Sequence, residues 1–470
     1  MARFQADICI IGAGSAGLSL AAGAAQMGAR VVLIEGAKMG GDCLNTGCVP
    51  SKALLATAKA AQAMRDTARF GVAAEVPRVD FAASRDHVQA AIAAIAPADS
   101  QERFEGLGVR VIRDWGRFVS DRDVQAGSDV ITARRYVVAT GSHALVPPIP
   151  GLEGVAFLTN ETIFALRERP AHLVILGGGP IGAEMAQAHR RLGSDVTLVA
   201  RSGLLGRDDP EAAAVVAARL RAEGVTVIER AAVAGISGAV DVTLTDGRVI
   251  SGSHVMLAMG RAPALDRLNL DAAGVQASAQ GIEVDDRLCT SNKRIYAIGD
   301  VVAGGRQFTH VAGYQAGIVL RQVVLSLPAK ERRDHIPWVT YTDPELAQVG
   351  MTEAEARAAH GAALTAVRAD YHHNDRAITE GQTDGFIKVM VVKGRPVGAT
   401  IVGHAAGEII CLWALAISQR LKMSAVAAMV APYPTYGELS KRAAGAYFSP
   451  KLFDSPMVKR VVRLVQAWLP

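Results

Sequence analysis

One pattern of an apolar run, a glycine-rich turn and an alanine-rich helix occurs twice in this chain. The first copy joins the apolar run 7–11 to the turn 12–17, and the second joins the run 172–176 to the turn 177–182. A further apolar run follows each helix, and the two copies align without a gap. The repeat therefore predicts two βαβ units and an α/β fold with parallel strands.

Both turns have the spacing G-x-G-x-x-G, which lets the backbone approach a pyrophosphate at the positive end of a helix. One such motif is weak evidence, but two motifs, each between a strand and a helix, predict two dinucleotide sites. The glycines concerned are Gly12, Gly14 and Gly17 in the first copy and Gly177, Gly179 and Gly182 in the second.

The residue 23 positions after the first glycine predicts which nucleotide each copy binds. In the first copy it is Glu35, whose carboxylate would accept a hydrogen bond from a ribose 2′-hydroxyl. In the second it is Ala200, followed by Arg201 and Ser202. Arg207 lies nearby, and guanidinium groups favour a 2′-phosphate. We therefore predict FAD at the first site and NADPH, in preference to NADH, at the second; alternatively, the arginines are solvated turn residues.

Two further segments fit a protein that binds two nucleotides. A predicted strand ends in the tight turn Ala139, Thr140 and Gly141, and a second strand leads to Asp300. Asp300 would either accept hydrogen bonds from the ribityl chain of a flavin or cap the helix that follows it. Taken alone, the segment favours the cap.

Cys43 and Cys48 are separated by four residues just after the first repeat. A disulfide closing so short a loop is worth only about 2 kcal/mol, and no ligand cluster suited to zinc accompanies the pair, which predicts a redox role. Apolar residues after Pro50 predict a helix with Cys48 at its N-terminus, where the helix dipole and Lys52 would lower the thiol pKa. We expect Cys48 to be the thiolate that faces a flavin and Cys43 to be the more exposed thiol. The other three cysteines are expected to be inert packing residues: Cys9, Cys289 and Cys411.

Composition excludes several other classes of protein. A chain of 470 residues, half of them hydrophobic, has room for about three globular domains and is not disordered. The surplus of 50 Lys and Arg over 45 Asp and Glu is too small to predict a nucleic-acid partner. Five cysteines make no disulfide framework. The uncharged stretch 8–29 has the length of a membrane span, but three of its five glycines belong to the first turn, so we expect a cytoplasmic protein.

Together these motifs resemble the FAD-dependent pyridine nucleotide–disulfide oxidoreductases. The segments that carry the resemblance are the two glycine turns, GGDCLNTGCVPSK at 40–52, ATG at 139–141, YAIGD at 296–300 and the chain from Pro337 onward. This is the family of glutathione reductase, dihydrolipoamide dehydrogenase and mercuric reductase, and the resemblance covers roughly residues 5 to 448. It implies a homodimer in which electrons pass from a nicotinamide to FAD, to a Cys43–Cys48 disulfide and on to an acceptor.

The resemblance also implies a division of the chain and roles for further residues. Lys52 and Glu184 are expected to pair beside the flavin, with Gly41 also near FAD, while Gly260 and Arg261 close the second nucleotide domain. The implied parts are an FAD-binding domain over 1–150 and 270–336, an NAD(P)-binding domain over 151–269, a dimerisation domain over 337–448 and a tail over 449–470.

One departure from the family pattern concerns the acceptor. Disulfide reductases carry a His-Pro-x-x-x-Glu-like acid–base element near the C-terminus, and here Tyr433 takes the place of the histidine while Glu438 is kept. Tyrosine, with a pKa of about 10, is roughly 0.1% ionised at pH 7 and is roughly a thousandfold poorer as a standing base. It could still donate a hydrogen bond, protonate a thiolate or bind a soft metal. A tyrosine at this position makes the chain similar to the mercuric reductases.

The favoured hypothesis is an NADPH-dependent reductase of a soft metal ion such as Hg(II), or of a thiol-bound electrophile. Cys43 and Cys48 would be transient Hg(II) ligands, no structural metal is expected, and Tyr433 would come from the partner subunit. The terminal cysteine pair with which mercuric reductases pass the metal inward is not present in 466–470, so the metal would need another route. The alternatives are a reductase of a small-molecule or protein disulfide that works without the histidine, and a flavin redox sensor with little turnover.

The tail has apolar residues at 458, 461, 462, 465, 468 and 469 with cations on the other side. This spacing predicts an amphipathic helix over 457–469. Such a helix either packs on its own domain or lies on an anionic membrane surface, which would make the protein peripheral to the inner face of the membrane.

Overall fold

The computed structural model describes residues 3–469, which form two compact units. The first unit runs to Arg201 and resumes over Arg230–Arg332, and the second comprises Ser202–Glu229 and the described residues from Arg333 onward. Both units contain strands and helices.

The strands, numbered in chain order, are β1 Arg3–Ile11, β2 Val31–Ile34, β3 Arg110–Ile112, β4 Gly116–Phe118, β5 Asp123–Ala126, β6 Asp129–Val138, β7 Ser142–Ala144, β8 Phe157–Leu158, β9 His172–Leu176, β10 Asp195–Ala200, β11 Thr226–Glu229, β12 Val233–Ser237, β13 Asp241–Leu244, β14 Val249–Ser251, β15 His254–Leu257, β16 Arg261–Pro263, β17 Ala277–Ser278, β18 Gly281–Ile282, β19 Ile295–Ala297, β20 Pro337–Thr340, β21 Glu345–Gly350, β22 Leu364–Asp370, β23 Phe386–Val392 and β24 Arg395–Gly403.

The helices are α1 Ser15–Gln26, α2 Gly41–Asn45, α3 Cys48–Arg65, α4 Phe81–Ile95, α5 Gln101–Gly106, α6 Pro180–Arg191, α7 Pro210–Ala222, α8 Thr309–Val323, α9 Glu353–His360, α10 Asp375–Glu380, α11 Ala406–Ser418, α12 Met423–Ala427, α13 Glu438–Phe453 and α14 Pro456–Trp468.

The first unit contains both copies of the repeat. In one sheet the order β3-β2-β1-β6 is parallel, with β19 also parallel to β6. In the other, β10, β9, β15 and β8 are parallel. The parts of these strands over 8–11, 31–34, 136–138 and 173–176 are apolar and buried, because parallel sheets are covered on both faces. The predicted α/β fold is confirmed, and the glycine turns connect β1 to α1 and β9 to α6.

The second unit contains an antiparallel sheet of order β20-β21-β24-β23-β22. Helices α11 and α13 pack on this sheet, and Trp413 is fully buried between them and the strands. The predicted C-terminal α/β domain is therefore confirmed. The uncharged stretch 8–29 is divided between β1 and α1, and no helix within residues 3–469 is long and apolar enough to cross a membrane.

A buried lysine organises one edge of the second unit. The Lys388 Nζ lies 3.0 Å from Asp209, 2.9 Å from Glu211 and 2.9 Å from Glu353. Burial alone would lower the pKa of Lys388, but hydrogen bonds to these carboxylates raise it overall, so the ammonium stays charged. Asp209 is 2% exposed and also caps α7, accepting hydrogen bonds from two backbone amides.

Replacing Lys388 with methionine should destabilise the second unit. The change leaves the buried Asp209 carboxylate without its cation, and we expect the free energy of unfolding to fall by about 3 kcal/mol. Urea unfolding followed by tryptophan fluorescence measures the effect. Lys441→Met, at an exposed position on α13, is the matched control and should change the free energy by less than about 0.5 kcal/mol. Equal free energies of unfolding for the two variants would contradict this stabilising role of Lys388.

Candidate functional site

The first glycine turn leaves room for a group that approaches the backbone. Gly12 has a φ of +108°, and a Cβ there would lie 2.3 Å from the carbonyl oxygen of Ala139. A Cβ on Gly17 would lie 1.9 Å from the Gly12 oxygen. No described side chain caps α1, which begins after Gly14, so its first amides are free of side-chain acceptors. A negatively charged phosphate fits this position.

The second turn has the same geometry. A Cβ on Gly177, whose φ is +126°, would meet the Ala258 oxygen at 2.1 Å, and one on Gly182 would meet the Gly177 oxygen at 1.9 Å. Helix α6 begins after Gly179 and, among the described residues, has no side-chain cap. Both copies of the repeat therefore provide a phosphate cradle at a helix N-terminus.

Glu35 holds the end of β2 against the first turn. Its carboxylate accepts hydrogen bonds from the backbone amides of Ala13 and Ala37, each at 2.6 Å. This places the carboxylate beside the loop, although its role toward a ribose remains a prediction.

The segment around Asp300 forms a polar cluster with Ser142 and Arg261. Ser142 Oγ donates to Asp300 Oδ2 at 2.6 Å, and Arg261 Nε lies 3.7 Å from the same oxygen. Burial raises the pKa of Asp300, while the Ser142 hydrogen bond and the Arg261 charge oppose the rise. The capping alternative is wrong, because the next helix, α8, begins only at Thr309, with Phe308 at its cap position.

The remaining predicted nucleotide residues lie in two different environments. Thr140, between Ala139 and Gly141, donates to the Ala264 oxygen at 2.8 Å. Arg261 turns toward Asp42, at 3.0 Å, and its side chain is only 13% exposed. The exposed residues are Arg201, Ser202, Arg207 and Gly260.

The cysteines lie on two successive helices. Cys43 is in the short helix α2, and Cys48 is the first residue of α3, as predicted. Both thiols are free. In the chain by itself Cys48 is exposed and Cys43 is half-buried, with hydrogen bonds to Cys48, Thr309 and Ser15. That Cys43 is the more exposed thiol beside a bound flavin stays a prediction.

The two thiols are strongly differentiated in acidity. The hydrogen bond from Cys43 is the largest cause that lowers the pKa of Cys48, to about 6, with Thr309 and the charge of Lys52 adding to it and burial opposing it. The hydrogen bond to Cys48 and burial raise the pKa of Cys43. At neutral pH the proton of the pair is therefore held by Cys43, and Cys48 is the thiolate.

Lys52 forms an ion pair with Glu184. The Lys52 Nζ lies 2.9 Å from Glu184 Oε2, and the glutamate side chain is 6% exposed. This pair joins the cysteine helix α3 to α6 of the second repeat, and it holds the Lys52 charge within reach of Cys48.

Thr309 and Asn160 contribute to this site from distant parts of the chain and carry no local sequence signal. Thr309, at the start of α8, has its Oγ1 3.3 Å from Cys48 Sγ. Asn160 Nδ2 donates to Asp42 Oδ1 at 3.0 Å, and Thr46 Oγ1 donates to the same oxygen at 2.6 Å. Asp42 thereby fixes the loop between the cysteines. The ion pair of Asp42 with Arg261 adds to these hydrogen bonds.

Removing the Thr309 hydroxyl should make Cys48 less acidic. In Thr309→Val we expect the pKa of Cys48 to rise by about one unit, because the thiolate loses a hydrogen-bond donor. The pH dependence of Cys48 alkylation, followed by mass spectrometry, measures this shift. Thr309→Ser keeps the hydroxyl and should titrate like the native protein; identical titrations of the serine and valine variants would refute the role of Thr309.

Tyr433 and Glu438 lie in the second unit, near the start of α13. Tyr433 is 69% exposed, and its hydroxyl donates to Asp375 Oδ2 at 2.9 Å. This hydrogen bond and the carboxylate charge raise the pKa of Tyr433. Glu438 Oε2 accepts from the Thr435 amide at 3.5 Å. Tyr433 therefore holds its proton at neutral pH and is no standing base.

The other three cysteines lie in different surroundings. Cys9 and Cys289 are buried, and burial raises the pKa of both thiols. Cys411 is exposed on α11, so the expectation that it is a packing residue is wrong. Within residues 3–469 no three His, Cys, Asp or Glu side chains are grouped so that they could hold a metal ion.

This chain is similar to known proteins over most of its length. The family described as "Pyridine nucleotide-disulphide oxidoreductase" matches residues 6–316, and its "dimerisation domain" matches residues 336–444. A mercuric reductase from Bacillus cereus is 33% identical over 446 residues, which are 93% of this chain and 70% of that protein. A mercuric reductase from Streptomyces lividans is 33% identical over 94% of this chain and 96% of that protein.

This chain is also similar to solved structures, one of which is a Cu(II) complex. The HOCl-induced flavoprotein disulfide reductase RclA from Escherichia coli, in that complex, superimposes with a TM-score of 0.82 at 29% identity. The match covers 93% of this chain and 98% of that chain.

Proposed function

This chain belongs to the pyridine nucleotide-disulphide oxidoreductases, and on that premise we propose that it is an NADPH-dependent reductase of a thiophilic metal ion such as Hg(II) or of a thiol-bound electrophile. As a member of the family it is an FAD-dependent enzyme that uses NAD(P)H, and its dimerisation domain indicates a homodimer. Bound FAD would relay an electron pair from the nicotinamide to the Cys43–Cys48 pair.

The cofactor residues follow from the two phosphate cradles. The residues proposed to bind FAD are Gly12, Gly14, Gly17, Glu35, Gly41, Lys52, Ala139, Thr140, Gly141 and Asp300. Those proposed to bind NADPH are Gly177, Gly179, Gly182, Arg201, Ser202, Arg207, Gly260 and Arg261. The exposed guanidinium groups of Arg201 and Arg207 support NADPH over NADH, because either can bind a 2′-phosphate. We expect kcat/KM to be higher for NADPH than for NADH.

The cysteine pair suits a metal ion that prefers sulfur. The Cys48 thiolate is present at neutral pH and exposed, and Cys43 supplies a second sulfur when it gives up its proton to the solvent or the metal's departing thiol. The balance of the reaction is NADPH + Hg(II) → NADP⁺ + H⁺ + Hg(0), in which two electrons reduce the metal. No proton need be delivered to the metal.

The observation that carries the proposal is the Tyr433 hydrogen bond to Asp375. Reduction of a disulfide releases two thiols and benefits from a group that accepts and returns a proton near pH 7. Tyr433 stands where related disulfide reductases have their histidine, and Asp375 holds the phenol protonated. With Tyr433 supplied by the partner subunit, the site lacks that base, which suits a metal acceptor because a metal needs no proton from the protein.

Asp375→Asn tests this observation directly. Removing the carboxylate charge should lower the pKa of Tyr433 toward the ordinary value of about 10. The ultraviolet difference titration between the native protein and Tyr433→Phe isolates this phenol, and the same difference is measured in the Asp375→Asn background. If Tyr433 of the native protein ionises below pH 8, it can act as a base, and the proposal loses the observation that supports it.

A further inference from the structure

Helix α14 separates its apolar and cationic residues completely. At about 100° per residue, its apolar side chains cover about 160° of the circumference. Lys459, Arg460 and Arg463 lie on the other side, and the helix contains no acidic residue. The apolar face comprises Met457, Val458, Val461, Val462, Leu464, Val465 and Trp468.

The described chain does not cover this apolar face. No residue of α14 is buried; Trp468 is 86% exposed and Val461 and Val465 are about half exposed. Leu452 and Phe453, just before the helix, are exposed as well. The matched dimerisation domain ends at residue 444, before α14 begins. Packing of the tail on its own domain is therefore not what the structure shows.

The helix has a defined start but little intrinsic stability. Ser455 Oγ accepts a hydrogen bond from the Val458 amide at 3.4 Å, and Pro456 occupies the first turn. A helix of 13 residues with four valines is marginal in water, because it is short and β-branched residues lose rotamer freedom in helices. An apolar partner would stabilise it.

We propose that α14 lies flat on an anionic lipid surface, with its apolar face in the acyl boundary and its three cations against phosphate headgroups. The face is wider than the seam with which two helices pair, and the three cations on the opposite side complement an anionic surface. Trp468 suits the membrane interface, where its ring is apolar and its N–H finds a polar partner. At 13 residues the helix is too short to span a bilayer.

Vesicle co-sedimentation of the FAD-loaded full chain tests the proposal. The probes are vesicles of phosphatidylcholine alone and vesicles containing phosphatidylglycerol at about one third. Val461→Ser/Val465→Ser removes apolar side chains, and Gln466→Ser/Ala467→Ser makes matched changes on the cationic side. Lys459→Gln/Arg460→Gln/Arg463→Gln removes the charges. FAD content and light scattering confirm that each variant is folded and report its oligomeric state.

We expect the native chain to bind the anionic vesicles at least tenfold more tightly than the neutral ones. The valine variant and the charge variant should each lose at least tenfold in partition coefficient, whereas the Gln466 and Ala467 variant should stay within twofold of the native chain. Equal sedimentation of all four proteins, or none with either vesicle, would overturn the proposal. So would a valine variant that changes the oligomeric state while lipid binding is unaffected, because α14 would then pack against a second copy.

Discussion

A protein in which serine replaces Cys48 should oxidise NADPH with Hg(II)–thiol complexes or disulfides at least about a thousandfold more slowly than the native protein. Cys48 provides the thiolate at neutral pH because Cys43, Thr309 and Lys52 all favour its charged form. Serine keeps the size and a hydroxyl, but its oxygen is not ionised at this pH and cannot form a disulfide. Cys43→Ser should have an effect of the same order, because the pair acts as a unit.

Controls separate this effect from a loss of structure. Cys411→Ser changes the other exposed cysteine, on α11, and should leave turnover within about twofold of the native rate. The Cys48 variant should keep its FAD and still reduce ferricyanide with NADPH, since ferricyanide accepts electrons without a thiol. Full acceptor turnover by the Cys48 variant would show that the cysteine pair is not the route of the electrons.

Tyr433→His should give the protein a disulfide reductase activity about a hundredfold or more above that of the native chain. A histidine with a pKa near about 6.5 accepts and returns a proton at neutral pH, whereas Tyr433 is held protonated by Asp375. The new activity should rise with pH through the titration of the histidine, because the neutral imidazole is the base. Steady-state kinetics with glutathione disulfide and with lipoamide measures the gain.

The control variant at the same position is Tyr433→Gln, which forms hydrogen bonds but does not titrate. It should show neither the gain nor the pH dependence. If the native chain already reduces disulfides as fast as the histidine variant does, the missing histidine is no handicap, and the assignment of a metal acceptor loses its main argument.

The periodic parts of this fold were predictable from the sequence because they repeat. The apolar runs, the two glycine turns and the start of α3 at Cys48 all follow from local spacing, and the structure has them where they were predicted. The ion pair of Lys52 with Glu184 joins residues 132 positions apart, and it was expected only through the family resemblance.

The contacts that tune the site were not predictable in this way. Thr309 lies 261 positions from Cys48, and Asp375 lies 58 positions from Tyr433, so no local pattern marks either pair. The cap assigned to Asp300 failed because eight residues separate it from α8, a distance that its local sequence does not reveal.

The most direct test of the proposed function is an anaerobic comparison of acceptors. The native FAD-loaded dimer is given NADPH and then either an Hg(II)–thiol complex or a panel of small and protein disulfides, and both NADPH oxidation and volatile mercury are measured. The mercury complex should be turned over repeatedly, with one Hg(0) released per NADPH, while disulfides should cause little oxidation. Rapid consumption of a disulfide, with mercury acting only as an inhibitor, would contradict it.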